Sequence, residues 1–158
     1  MGKAGSTPKS TAHPAVLVVE DQEPVRHLIV KFLSRHGIRA LDAADAGQGL
    51  SIVHQHAGRI DLAILDMVMP GVSGLDLATD LIREYPGIKI LYTSGYVDSV
   101  AMNVIARGSP QTVLLKPFTE QALLERVRQL LEMPPEIQPG ATQSEPASKH
   151  PRAASKLE

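Results

Sequence analysis

The chain has 158 residues, of which 43% are hydrophobic and 21% charged, with a formal net charge of −1. This length and composition indicate one globular domain with loose ends. The balanced charge gives no general attraction to nucleic acid or to a membrane surface, and the absence of cysteine excludes disulfides and thiolate chemistry. The apolar runs are too short to cross a bilayer and no apolar signal core begins the chain, so we expect a cytoplasmic protein with no membrane partner.

Both ends of the chain have the composition of disordered segments. Residues 1–14 are rich in Gly, Ser, Thr, Lys and Pro, and residues 134–158 contain five prolines and almost no large apolar side chains. Residues 15–133 are therefore predicted to form the single folded domain, flanked by a disordered N-terminal segment and a Pro-rich disordered C-terminal tail.

Strand and helix patterns alternate five times within the predicted domain. The predicted strands are Val16–Val19, Ile38–Leu41 (at an edge), Ile60–Leu65, Ile88–Tyr92 and Val113–Leu115. The predicted helices run from Pro24 to a stop at Gly37, from Asp45 to about His56, from a cap at Ser73, from Val97 to Ala106, and from a cap at Thr119. Apolar residues recur at helical spacing, so we expect positions such as Leu28, Ile29, Leu81 and Ile82 to face inward.

Such alternation predicts an α/β fold in which helices cover both faces of a parallel sheet. The common solution at this size is the flavodoxin-like (βα)5 doubly wound sheet with strand order 2-1-3-4-5. That order places the carboxyl ends of the first and third strands side by side. Glu20 and Asp21 follow the first strand and Asp66 ends the third, so the three carboxylates should be neighbours.

The predicted acidic cleft suits a divalent cation. Taken alone, Glu20 and Asp21 could simply complement the dipole of the following helix, and Asp66 could cap a turn. Three carboxylates in one cleft repel one another unless a cation holds them, and hard oxygen ligands suit Mg²⁺. We predict that Asp21 and Asp66 bind Mg²⁺ and that Glu20 acts through water.

Further polar groups follow the fourth and fifth strands. A carboxylate such as Asp66 can accept a phosphoryl group when a metal offsets the charge of the reacting oxygens. Lys116 is either a solvated surface lysine or a point-charge partner for Asp66 and phosphate; a cis bond to Pro117 would aim its ammonium inward. Thr93 or Ser94 offers a hydroxyl, and the register of the strand decides between them.

These residues resemble the receiver domain of two-component response regulators across residues 15–133. The resemblance rests on four motifs in order and at family spacing: Val18-Val19-Glu20-Asp21, Asp61 to Gly71 around Asp66, Ser94-Gly95-Tyr96 and Lys116-Pro117-Phe118. It implies that a histidine kinase or histidine phosphotransfer protein phosphorylates Asp66 in the presence of Mg²⁺. It also implies that the Val68 backbone carbonyl is a metal ligand, that Ser94 rather than Thr93 is the switch hydroxyl, and that Lys116 is the family's lysine.

Two departures from the family pattern carry predictions of their own. Val113 stands where the family often has an aromatic switch residue, so the output change should move the fourth β-α loop and helix without a rotating aromatic ring. Val68 and Tyr96 lie two residues past Asp66 and Ser94, at places where the family sets how water reaches the acyl phosphate. Neither side chain should assist hydrolysis, so we predict a long-lived phosphoryl group.

The resemblance implies a bacterial phosphorelay switch rather than an enzyme, with at most slow self-dephosphorylation. Its downstream protein target is unknown, a homodimer is one assembly open to it, and no DNA-binding helix pair follows the domain. The alternatives are a receiver fragment of a hybrid sensor kinase and a receiver-like scaffold that is never phosphorylated. An Asp-nucleophile phosphatase is disfavoured by Val68 in the acid/base position, and a flavin module by the acids after the first strand.

Overall fold

A computed structural model describes residues 13–57, 59–95, 103 and 112–132. Its strands are β1 (Ala15–Val19), β2 (Arg39–Ala43), β3 (Leu62–Asp66), β4 (Lys89–Ser94) and β5 (Val113–Leu115). Its helices are α1 (Glu23–Arg35), α2 (Ala46–Gln55), α3 (Gly74–Glu84) and α4 (Glu120–Leu131). The segments predicted to be disordered and the helix predicted from Val97 to Ala106 lie outside the described residues, except for His13, Pro14 and Asn103.

The five strands form one parallel sheet in the order β2-β1-β3-β4-β5, which confirms the predicted topology. Val19 lies opposite Leu65, Asp66 lies opposite Thr93, and Ser94 lies opposite Leu115. The central strands therefore end side by side at one edge of the sheet. That edge is where open α/β sheets bind their ligands.

Two apolar layers cover the sheet. On one face, Leu17 and Leu65 pack against α2 and α3, and on the other, Val18 and Ile64 pack against α1 and α4. Strands covered on both faces read as continuous apolar runs, which is why β1 and β3 were clear in the sequence. None of the described helices has the length and apolarity that crossing a membrane requires.

Capping side chains set several helix ends at the predicted residues. The Ser73 hydroxyl accepts a hydrogen bond from the Asp76 amide at 3.2 Å, and the Thr119 hydroxyl accepts one from the Ala122 amide at 3.1 Å. Gly37 ends α1 with a φ of +73°, a conformation that favours glycine. Pro24 is the second residue of α1 rather than the first, because Glu23 already belongs to the helix.

Two predicted inward positions are wrong. Leu28 is 44% exposed and Ile82 is 46% exposed, whereas their neighbours Ile29 and Leu81 are fully buried. A helix resting on a sheet buries only one stripe, and these two residues lie at its margin. The edge strand also differs, because it begins at Arg39 and continues to Ala43, whose carbonyl accepts a hydrogen bond from the Glu20 amide at 3.1 Å.

Candidate functional site

The ends of two strands, β1 and β3, bring three carboxylates together. Asp66 is the last residue of β3 and is 6% exposed, and Glu20 directly follows β1 and is 1% exposed. Carboxylate oxygens of Glu20, Asp21 and Asp66 lie within 4.8 Å of one another. Asp21 is the most accessible of the three, so the cluster opens toward solvent on its side. The predicted neighbourhood of the three acids is thus present.

The side chain of Lys116 is the cationic partner of this cluster. It directly follows β5, and its ammonium donates to Glu20 Oε2 at 2.7 Å and to Asp66 Oδ2 at 3.4 Å. The peptide bond from Lys116 to Pro117 is cis. With its side chain only 19% exposed, Lys116 holds its ammonium in the cleft, where it contacts two of the three carboxylates.

The surroundings of Glu20 disfavour its charge. Burial raises the pKa of the Glu20 carboxyl above its ordinary value, and the nearby Asp66 carboxylate adds to the rise. Hydrogen bonds from Lys116 and from the Gln22 amide oppose the rise without cancelling it. An added cation beside Glu20 and Asp66 would offset this unfavourable charge.

Backbone contacts hold the Asp66 carboxylate in place. Its Oδ1 accepts a hydrogen bond from the Val68 amide at 3.1 Å, and the Met67 amide donates to the Thr93 carbonyl at 2.9 Å. Helix α3 begins directly against this turn: a Cβ added to Gly74 would overlap the Asp66 carbonyl oxygen. Only glycine lets the helix start so close to the acid.

The end of β4 carries both candidate hydroxyls. Thr93 and Ser94 are 1% and 0% exposed, and the Ser94 carbonyl accepts a hydrogen bond from the Lys116 amide at 2.7 Å. The Thr93 hydroxyl, in contrast, has no hydrogen-bond partner among the described residues. Strand β4 thus joins the turn after Asp66 to the turn that holds Lys116. Tyr96, which was singled out in the sequence for its effect on hydrolysis, lies outside the described residues.

The donor set fits a small hard cation. Two oxygens bound directly to Mg²⁺ lie at most about 4.2 Å apart, twice the usual ligand distance, so a separation of up to 4.8 Å needs little adjustment or a bridging water. Both Glu20 oxygens already accept hydrogen bonds, from Gln22 and from Lys116, whereas Asp21 faces the opening. The Val68 amide bonds Asp66, and this keeps the loop that carries the Val68 carbonyl beside the cluster.

Two residues that shape this site were missed in the sequence. Gly74 looked like one turn residue among several, although a glycine at the first position after a Ser cap is a signal of close approach. Arg26 was not singled out in the sequence, yet its side chain is only 13% exposed and its guanidinium donates to the Glu20 carbonyl at 2.9 Å. No sequence pattern announces that contact.

Comparison with known proteins assigns the chain to a family. The family model of the response regulator receiver domain matches residues 16–128. The chain is 32% identical over 117 residues to the sensor kinase CckA of Brucella abortus, covering 74% of this chain and 12% of the kinase. It is 34% identical over 116 residues to the transcriptional regulatory protein YvrH of Bacillus subtilis, covering 72% of this chain and 47% of that protein. The chain therefore spans less than half the length of either relative.

A solved structure agrees with these sequence matches. A response regulator receiver domain protein from Clostridium thermocellum superposes with a TM-score of 0.68 at 27% identity, covering 75% of this chain and 94% of the other. The fold, the convergent strand ends and the family match over most of the sheet lead to one conclusion. The chain belongs to the response regulator receiver domain family.

Proposed function

We propose that this receiver domain accepts a phosphoryl group on Asp66 in a Mg²⁺-dependent reaction. The observation that carries the proposal is the buried Asp66 carboxylate, with the Lys116 ammonium 3.4 Å from its Oδ2 and carboxylate oxygens of Glu20 and Asp21 within 4.8 Å of it. The donor is a phosphohistidine of a histidine kinase or of a histidine phosphotransfer protein. Membership of the receiver domain family supports a donor of this class.

An Asp66 carboxylate oxygen attacks phosphorus in line with the phosphorus–nitrogen bond of the donor. That bond breaks as the new oxygen–phosphorus bond forms, and the electron pair stays on the imidazole nitrogen, which takes a proton from solvent. Lys116 offsets charge on the transferring group because its ammonium already lies beside Asp66 Oδ2. A Mg²⁺ ion held by Asp21, Asp66 and the Val68 carbonyl, with Glu20 through water, would neutralise the remaining negative charge.

The Ser94 hydroxyl is the proposed sensor of the phosphoryl group. Ser94 is buried at the end of β4, and its carbonyl accepts a hydrogen bond from the Lys116 amide at 2.7 Å. This bond couples the positions of the two residues. Phosphoryl oxygens on Asp66 would attract the hydroxyl and draw the loop after β4 inward. Val113 occupies the place of the aromatic switch residue, so the output depends on that loop and the helix predicted after it.

The phosphoryl group should be long-lived. Val68, two residues past Asp66, is apolar and 60% exposed at the mouth of the site, and it offers no group that could orient water for attack. A phosphorylated form that decays no more slowly than acetyl phosphate in the same buffer would contradict this part of the proposal.

The receiver domain could work in either of two kinds of protein. One relative is a sensor kinase and another is a transcriptional regulatory protein, so this receiver could act within a hybrid kinase or as a response regulator. In both kinds of protein the phosphorylated form binds a downstream protein, and a phosphorylation-dependent homodimer is the simplest such complex to test by sedimentation.

The test is intact-protein mass after incubation with acetyl phosphate, with and without Mg²⁺. We expect the wild type to gain one phosphoryl group only with Mg²⁺, and Asp66→Asn to gain none. Asp80→Asn is the matched control, because Asp80 pairs with Arg83 on the exposed face of α3. A folded wild type that binds Mg²⁺ but gains no mass would favour the scaffold alternative, and equal mass gain in Asp66→Asn would refute the assignment of Asp66.

A further inference from the structure

The Arg26 side chain joins three elements behind the acidic cluster. Its Nη1 donates to the Glu20 carbonyl at 2.9 Å, and its Nε donates to Asp42 Oδ2 on β2 at 3.1 Å. The side chain is 13% exposed, compared with 44% for its partner Asp42. Arg26 itself sits in the first turn of α1, where its amide bonds the Gln22 carbonyl at 2.9 Å. The guanidinium thus links the start of α1, the edge strand and the end of β1.

The bond to Glu20 fixes one particular peptide group. The Glu20 carbonyl belongs to the planar peptide unit that joins Glu20 to Asp21, so a donor on that carbonyl fixes the direction in which the chain enters Asp21. The other polar groups of Glu20 are also held: its amide by Ala43 at 3.1 Å, and its carboxylate by Gln22 and Lys116. The Arg26 contact completes the set.

A surface ion pair alone would not explain this geometry. Exposed pairs contribute little to stability, and Asp42 is nearly half exposed. The planar fork of arginine can serve a carboxylate and a carbonyl at once, which a lysine ammonium on a flexible stem does poorly. The hydrogen bond that shapes the site is therefore the one to the Glu20 carbonyl. The bond to Asp42 holds the guanidinium in the orientation that allows it.

We infer that Arg26 is a positioning residue for the cation site: it fixes the Glu20–Asp21 peptide and so sets the Asp21 carboxylate against Asp66. The inference rests on the proposed function, since it assumes that this cluster binds Mg²⁺. Charge and positioning act in opposite directions here. A guanidinium near the cluster repels a cation, whereas the peptide that it orients brings a ligand into place.

Two substitutions separate these effects. Arg26→Lys keeps the charge and loses the fork, and Arg26→Met loses both. If Arg26 acts by positioning, both variants bind Mg²⁺ about tenfold more weakly, as is typical when a residue supporting a ligand is removed. If Arg26 acts only through its charge, Arg26→Met binds Mg²⁺ more tightly than the wild type, and Arg26→Lys binds it equally.

The experiment is a Mg²⁺ titration by calorimetry at a temperature where circular dichroism shows each variant fully folded. Arg83→Met is the matched control, because Arg83 is an exposed arginine paired with Asp80, and it should bind Mg²⁺ like the wild type. Asp42→Asn keeps the bond to Glu20 and should weaken binding less than Arg26→Lys does. This variant and Arg26→Lys also serve if Arg26→Met does not fold.

The outcomes are distinct. Weaker binding in both Arg26 variants with an unchanged control supports the inference. Unchanged or tighter binding in them overturns it and leaves the proposed Mg²⁺ site intact. A wild type that binds no Mg²⁺ overturns the proposed site and this inference together.

Discussion

The middle of the sheet is apolar and its carboxyl edge is charged, and along β1 and β3 the change takes place from one residue to the next. In β1 and β3, apolar residues up to Val19 and Leu65 are fully buried between two helical layers. The next residues, Glu20 and Asp66, are also buried but are carboxylates that share a single ammonium. The interior of the sheet supplies the stability of the fold, and its edge gives up part of that stability to hold charged groups together.

The largest expected effect is in the interior. Leu17→Ala removes a fully buried side chain between β1 and α2, so we expect a loss of about 2–5 kcal/mol in the free energy of unfolding, measured by urea denaturation. Leu28→Ala is the control, because Leu28 is 44% exposed and its loss should cost only about 0.5 kcal/mol. If the interior and the edge of the sheet act independently, the folded Leu17→Ala protein should bind Mg²⁺ with unchanged affinity. A large change in its affinity for Mg²⁺ would mean that the two regions are coupled.

The next effect is at the junction of the two regions. Gly74→Ala would place a methyl group on the Asp66 carbonyl oxygen, so the start of α3 or the turn after Asp66 has to move. We expect a loss of about 1–3 kcal/mol in the free energy of unfolding, as for other overpacked sites, together with weaker Mg²⁺ binding. Gly87→Ala adds the same methyl group where nothing lies within 4 Å, and it should leave both quantities unchanged. Equal behaviour of the two variants would contradict this account.

A smaller effect is expected from a polar group at the edge. The Thr93 hydroxyl is buried opposite Asp66 and has no hydrogen-bond partner in the described part of the chain. Thr93→Val replaces it with a methyl group of the same shape, so the free energy of unfolding should rise by about 1 kcal/mol. Thr93→Ser, which keeps the hydroxyl, should show no gain. A stability loss in Thr93→Val would mean that the hydroxyl has a partner in the folded protein.

The smallest effect is a pH dependence at Glu20. Burial and the Asp66 charge raise its pKa above the ordinary 4.5, so folding favours the protonated carboxyl. That contribution is complete below the unfolded pKa and is lost as pH rises through the folded pKa. In Mg²⁺-free buffer the wild type should therefore lose stability relative to Glu20→Gln as pH rises from about 4.5 toward neutrality. A constant difference, or one of opposite sign, would contradict the burial argument.

The sequence was informative where one physical effect dominates. Continuous apolar runs predicted β1 and β3 because these strands are covered by helices on both faces, and the hydroxyls of Ser73 and Thr119 marked helix starts through local bonds. The cluster of Glu20, Asp21 and Asp66 followed from strand order alone. The exposure of Leu28 and the contact of Arg26 with the Glu20 carbonyl did not follow, because they depend on how α1 is rotated against the sheet.

The most direct test of the trade between stability and charge at the edge is the free energy of unfolding of the wild type and of Asp66→Asn, each with and without Mg²⁺. Without Mg²⁺ the variant should be at least as stable as the wild type, because one of three repelling carboxylates is gone. Mg²⁺ at 100 times its dissociation constant should stabilise the wild type by about 2.7 kcal/mol and the variant by much less. Equal stabilisation of both proteins, or of neither, would contradict the claim that this edge is built around a cation on Asp66.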